Sequence, residues 1–242
     1  MSETNNKLIL DLRELAYILT YPTNLYDAGR VSMLSKLGIE GIYSYGPTHL
    51  GRVRVLGKGH SSVVVLAKHR SLGDVVIKIR RLDSKRQSLY YEGYLMRSIK
   101  FDVAPKVYYF NDDFIFMEYL DGVHLGDYIR GRGLMDVGTV LIRILDAAFK
   151  LDLSGVDHLE LSRPHKHVLV LKDGRVKFID FESARTTLNP CNLCRILSAF
   201  LRIYGDLRIN LNSVKGLLKE YKLGRRRAFY DIISLISSNL GI

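Results

Sequence analysis

A lysine, a glutamate and a glycine-rich turn are spaced in this chain so that they could hold a nucleoside triphosphate. Lys78 ends the β-branched run Val75-Val76-Ile77-Lys78, which predicts a strand. Glu92 falls on the same helical stripe as Leu89, Met96 and Ile99, the face predicted to be buried. A carboxylate taken out of water requires a cationic partner, and Lys78 is the candidate. Ahead of both lies Gly57-Lys58-Gly59-His60-Ser61-Ser62-Val63, a turn between two further strand-like runs. Backbone amides of Gly57–Ser61 could bind phosphate oxygens. Lys78, fixed by Glu92, could neutralise their charge.

A second group follows near residue 170. Val168-Leu169-Val170-Leu171 and Val176-Lys177-Phe178-Ile179 flank Lys172-Asp173-Gly174-Arg175, and Asp-Gly is a strong hairpin signal. A two-residue turn predicts that 171 pairs with 176 and 169 with 178, and that His167 lies opposite Asp180. Directly opposed residues share a face with Cβ atoms about 5 Å apart. An aspartate at a strand end beside a histidine is suited to Mg²⁺ and phosphate; the plainer reading is a strand-end aspartate capping a turn. Imidazole is a poorer Mg²⁺ ligand than oxygen, so His167 would touch phosphate or favour Mn²⁺.

These residues need a scaffold. Residues 7–20 carry apolar side chains at helical spacing, 25–37 predict a second helix closed by Gly38, and 42–45 with 52–56 predict a hairpin. Residues 1–50 thus read as a helical extension or a reduced winged helix. Strands are predicted at 63–68, 75–80, 106–110 and 114–119, with a helix over 84–99 between the second and third. Beyond 122 the pattern turns helical, at 135–152, 192–204, 211–222 and 228–238; Leu193, Ile196, Leu197, Phe200, Leu201 and Tyr204 form one apolar stripe.

Composition bounds the partners. The 242 residues are 47% hydrophobic and contain no apolar run near the roughly 20 residues that span a bilayer. The first six residues lack the pattern of a signal peptide, so a cytoplasmic location without membrane contact is expected. The formal net charge is +11 and the pI about 9.6, which favours RNA, ribonucleoprotein or acidic protein partners. Arg80-Arg81, Lys85-Arg86 and Arg225-Arg226-Arg227 are the densest basic runs. Cys191 and Cys194 supply only two zinc ligands; they read as small buried apolar residues, with a redox pair as the alternative.

In order along the chain, these parts resemble protein kinases. Asp180-Phe181-Glu182 resembles the kinase Asp-Phe-Gly motif, with glutamate in place of glycine. Asp157-His158-Leu159-Glu160-Leu161-Ser162 resembles the catalytic loop, with Glu160 where the aspartate base stands. Glu118-Tyr119-Leu120-Asp121-Gly122 resembles the hinge whose backbone hydrogen-bonds adenine. The combination is similar to RIO-like atypical kinases, an archaeal branch above all, through Lys166-His167-Val168 after the loop, and to the small kinase of the KEOPS tRNA-modifying complex. The resemblance covers about residues 38–205.

It implies an α+β, two-lobed protein-kinase-like fold: an extension at 1–50, a β-rich N-lobe at 51–121 and a short helical C-lobe at 122–242. About 60 residues follow Asp180 and no Ala-Pro-Glu occurs, so the long activation segment is expected to be missing. It further implies ATP-dependent transfer of a γ-phosphate to a serine or threonine of a protein. Glu160 would serve as base, Lys166 as a charge neutraliser or a solvated loop lysine, Glu118 and Leu120 at the adenine, and Asp180 at Mg²⁺. The asparagine that ordinary kinases place five residues after the base is His165 here. The alternative function is an ATP-binding ribonucleoprotein assembly factor, ribosomal or tRNA-related, whose ATPase activity dominates.

Overall fold

A computed structural model describes residues 8, 9, 12–23, 25–203 and 211–241. The fold is mixed α and β, in two compact units, Met1–Tyr94 with Lys106–Tyr119 and Leu95–Pro105 with Leu120–Ile242.

In the first unit the strands are β1 (Leu8–Ile9), β2 (Ile39–Tyr43), β3 (Thr48–Leu50), β4 (Val53–Val55), β5 (Gly57–Lys58), β6 (Ser62–His69), β7 (Gly73–Arg80), β8 (Val107–Phe110) and β9 (Phe114–Glu118). The helices are α1 (Leu12–Leu19), α2 (Ala28–Lys36) and α3 (Tyr90–Ser98), the last running into the second unit. An antiparallel sheet runs β1-β2-β6-β7-β9-β8, with β5 beside β6, and β3 pairs with β4. Period-two alternation decides its faces. Val63, Val65, Val75, Ile77, Ile79, Phe114 and Phe116 join Ile18, Leu19 and Leu34 in one buried cluster. The helices α1 and α2 therefore share the core of the sheet. Arg30, 4% exposed, ties α2 down by donating to the carbonyls of Leu19 and Arg80 and to Asp113. Lys78, one step out of phase with Ile77 and Ile79, points to the opposite face.

Several local expectations change. Residues 7–20 are not one helix: Leu8–Ile9 extends and pairs with Tyr43–Ile42 at the edge of β2, and residues 7, 10 and 11 lie outside the described residues. The hairpin expected from 42–45 and 52–56 is instead β3–β4, turning at Gly51 (φ +62°), while β2 lies between β1 and β6. Gly46, at φ +125°, makes the change of direction; a Cβ there would meet the Val55 carbonyl oxygen at 2.1 Å. The helix expected over 84–99 starts only at Tyr90. Ser84 Oγ accepts from the Arg86 amide (3.0 Å) and Ser88 Oγ from the Tyr90 amide (2.9 Å), so serine side chains compete with helical hydrogen bonds ahead of that point.

In the second unit β10 (Gly122–His124), β12 (Val168–Leu171) and β13 (Val176–Phe178) form a three-stranded sheet, and β11 (Val156–Asp157) pairs with β14 (Arg185–Thr186). The helices are α4 (Leu125–Ile129), α5 (Leu134–Leu153), α6 (Pro164–His167), α7 (Asn192–Ile203), α8 (Leu211–Lys222) and α9 (Ala228–Leu240), with a 3-10 turn at Leu159–Ser162. The helix α5 buries Val137, Val140, Leu141, Ile144, Ala148 and Leu151 at i, i+3, i+4 spacing and packs on α7 and α9. Its Phe149 stacks on Phe229, ring centroids 4.1 Å apart. Of the apolar stripe on α7, Leu193, Ile196, Leu197 and Phe200 are buried; Tyr204 lies outside the described residues. Cys191 and Cys194 are joined in a disulfide rather than remaining thiols. Among the described residues no helix is long and apolar enough to cross a membrane.

The β12–β13 register is one residue off the expected one. Val168 pairs with Phe178, Leu169 with Lys177 and Val170 with Val176. The turn takes three residues, Lys172-Asp173-Gly174, with Gly174 at φ +81° and the Leu171 amide bonded to the Arg175 carbonyl (2.8 Å). Asp-Gly here builds the three-residue loop that ends in a left-handed glycine, not the two-residue turn. His167 consequently faces Ile179, whose amide donates to the His167 carbonyl (3.0 Å), rather than Asp180.

Candidate active site

In the first unit the expected pair is formed. Lys78 Nζ donates to Glu92 Oε1 at 2.7 Å, with side chains 6% and 1% exposed. The strand β7 holds Lys78 between Val64 of β6 and Ile115 of β9. A close approach supports Glu92. Its neighbour Gly93 lies so near β8 that an added Cβ would meet Phe110 Cβ and Cγ at 2.5 Å. Glycine inside a helix is costly, and this glycine was the unused sequence signal of that contact. Gly93→Ala should overpack the interface, cost about 1–3 kcal/mol and move Glu92 away from Lys78. Urea denaturation reads the first effect and ligand-induced thermal shift the second.

The glycine turn is braced from below. Gly57 and Lys58 pair with Val64 and Val63, and the Gly59 amide donates to the Ser62 carbonyl (2.9 Å). That amide closes the turn and is not offered to a ligand, which corrects the expectation that all five amides face phosphate. Arg81 donates to the Gly59 carbonyl (2.6 Å) and its amide to the Ser61 carbonyl (2.8 Å). Lys58 donates to the Tyr21 hydroxyl (2.9 Å), Lys58, Gly59 and His60 are exposed, and Ser61 is buried. Glu118 ends β9 with its amide donating to the Lys106 carbonyl (2.9 Å) and its Oε2 accepting from the Lys106 amide (3.1 Å). Leu120 is buried and belongs to the second unit.

In the second unit Glu160, His167 and Asp180 come together, although by a different route from the expected one. Glu160, on the 3-10 turn, accepts from Arg163 through Oε2 and from Ser183 Oγ through Oε1 (3.3 Å). The Arg163 guanidinium, ahead of all other influences, holds the Glu160 carboxyl below the usual carboxylate range. His167 Nε2 lies 3.9 Å from Glu160 Oε2. Burial lowers the His167 pKa, opposed by the carboxylates of Asp180 and Glu160. Asp180 is exposed, with φ +64°, a left-handed conformation uncommon outside glycine. The residue before it is pinned twice: its amide by the His167 carbonyl and its carbonyl by His158 Nε2 (3.0 Å). Lys166 is exposed on α6.

His158 is a support rather than a reactive group. It is fully buried, its ring lies edge-on to Phe181 with centroids 4.7 Å apart, and burial pushes its pKa down to about 4. Between the ordinary value of 6.5 and about 4 the unfolded chain takes up a proton that the folded one refuses. Stability should therefore fall as the pH drops through that window, by on the order of 3 kcal/mol. His158→Leu should flatten this part of the profile in urea titrations at pH 7, 5.5 and 4.

Residues that the sequence reading passed over hold this loop. Asn192 Oδ1 accepts from the His158 amide (2.8 Å), and its Nδ2 donates to the Val156 carbonyl (2.6 Å) and to Asp152 Oδ1 (2.7 Å). Asp152 also accepts from the Tyr221 hydroxyl (2.7 Å). Asp157, at the head of the same motif, is buried and takes Arg195 (2.9 Å) and Arg185 (3.5 Å) on Oδ2. The apolar period of α5 gave the one signal: Asp152 stands in line with Leu145 and Ala148.

Much of the basic surface is internally paired. Arg80 binds Asp113 (2.8 Å), Arg81 binds Asp83 (2.6 Å), Arg225 binds Glu220, and Arg226 lies over the Tyr221 ring (4.6 Å). These runs are less available to a polyanion than their charge suggests. Lys215, Lys219 and Lys222 are exposed at successive turns of α8.

The donor set around Asp180 fits a hard cation. Mg²⁺ takes one or two carboxylates and completes its shell with water and phosphate oxygen. Asp180 is an accessible carboxylate, and Glu160 is engaged by Arg163 and Ser183. Among the described residues no group of three or more His, Cys, Asp or Glu could hold a metal alone, so an ion at Asp180 would draw its remaining ligands from nucleotide and water. No family model matches this chain, and no curated protein matches it.

Proposed function

We propose that this protein is an ATP-dependent phosphotransferase of two-lobed, protein-kinase-like architecture, similar in kind to RIO-like kinases, transferring a γ-phosphate to a serine or threonine hydroxyl of a protein. One observation carries the reading: the buried Lys78–Glu92 pair at 2.7 Å. A buried ion pair is a poor device for stability alone, because desolvation offsets its attraction. A lysine held at one position on a strand, behind a glycine turn, is what a triphosphate site needs.

The division of labour follows from the side chains. The first unit would bind the phosphates through Lys78 and the remaining turn amides. Asp180 would hold Mg²⁺, which when bound neutralises phosphate charge. In the second unit Glu160 would orient the acceptor hydroxyl and take its proton late in transfer. Arg163 keeps Glu160 ionised for that role, and His167 would hydrogen-bond a phosphate oxygen. Lys166 is free to swing toward transferring charge.

A second reading, an ATPase that assembles ribonucleoprotein, is favoured by the lysine stripe Lys215, Lys219 and Lys222. Incubation with γ-labelled ATP and Mg²⁺, alone and with cell extract, separates the two. Label on protein supports the kinase; release of inorganic phosphate with no labelled protein supports the ATPase; neither product refutes both.

A further inference from the structure

The face of α7 that carries Cys194, Arg195, Ser198 and Arg202, with Cys191 just ahead of the helix, lines a concavity of about 260 Å³, completed by Ser162 and Lys222. Three cations and two hydroxyls are among its lining residues, and no carboxylate is. Arg195 is held from behind by Asp157 Oδ2 (2.9 Å), and Arg202 reaches the Ser162 carbonyl (3.4 Å). Lys222 is exposed. With one carboxylate behind three cations, the concavity keeps a net positive charge. Neither the nucleotide groups nor Glu160 uses it.

We infer that this concavity is a binding site for a phosphate monoester, and specifically for a phosphorylated side chain of the protein substrate. The substrate class rests on the phosphotransferase reading; the anion site does not. A phosphoserine carries nearly two negative charges and three acceptor oxygens, and arginines converging on one point are the usual means of binding it. The volume suits one such side chain. A nucleic-acid backbone is instead tracked by an extended groove with stacking aromatics, and no aromatic side chain lines this concavity. Ser162 stands two residues after Glu160 on the same 3-10 turn. A peptide anchored there by a phosphoryl group would pass beside the acceptor-orienting carboxylate, so the enzyme would prefer substrates that already carry a phosphate.

The test is calorimetric titration of the full chain, without nucleotide, with a phosphoserine peptide, its unphosphorylated twin and a single-stranded RNA of similar length. The phosphopeptide should bind, and the twin at least about tenfold more weakly. Arg202→Ala with Lys222→Ala should erase the difference. Should the double variant not fold by circular dichroism, Lys222→Ala alone must still weaken phosphopeptide binding several-fold. Equal binding of the twin, no effect of the variants, or RNA displacing the phosphopeptide in a Lys222-dependent way would overturn the assignment. Because nucleotide is absent, these outcomes leave the phosphotransferase reading untouched. A labelled-ATP assay on the two peptides tests the substrate class separately: faster transfer to the primed peptide, lost in the variants, is expected, and equal rates overturn it.

Discussion

Lys78→Ala should remove γ-phosphate transfer and weaken the fold at the same time. Alanine takes the lysine charge away from Glu92, a carboxylate only 1% exposed. Breaking one partner of such a pair costs about 3–5 kcal/mol. Loss of the charge at the phosphates should cost transfer about 10²-fold or more. The two effects separate in Lys78→Met with Glu92→Leu, which fills the space with apolar atoms. That double variant should recover wild-type stability in urea, since replacing a buried ion pair by packed hydrophobic residues is often neutral or stabilising. It should still show neither transfer nor a Mg-ATP thermal shift. A double variant that transfers phosphate would refute the role given to Lys78.

Glu160→Gln should act on turnover and spare nucleotide affinity. The amide keeps the shape and loses the base, so kcat should drop about 10²–10⁴-fold. The groups proposed to hold nucleotide lie on other elements, so the ATP-induced thermal shift should stay. The acid limb adds a check with a definite sign. Arg163 holds the Glu160 pKa below the ordinary carboxylate range. The active carboxylate therefore persists as the pH falls into that range and is lost only on passing the lowered pKa. Arg163→Ala should move the acid limb to higher pH. Full activity in Glu160→Gln would place the base elsewhere.

The boundaries between long periodic segments are legible in the sequence. The helices at Leu134–Leu153, Asn192–Ile203, Leu211–Lys222 and Ala228–Leu240 each carry enough apolar repeats to state their own face. The strands β6 and β7 were legible from β-branched runs. The helix start at Tyr90 was not, because Ser84 and Ser88 can hydrogen-bond nearby backbone either inside or outside a helix.

Residue order and periodicity alone set Lys78 one step out of phase with Ile77 and Ile79, and set Glu92 on the stripe of Leu89 and Met96. From these two facts their pairing follows, since each would be intolerable buried alone. The placement of His167 and Asp180 did not follow. Asp-Gly permits two- and three-residue turns, and one residue of register moves every later side chain to the other face. The choice was made by contacts far apart in the chain: the Ile179 amide on His167, the Ile179 carbonyl on His158, and His158 itself held by Asn192 from the start of α7. Local sequence states which side chains must be buried. Which arginine meets which carboxylate is a tertiary matter for Asp157, taken by Arg195 and Arg185 from far along the chain, and a local one for Glu160, taken by Arg163 three residues on.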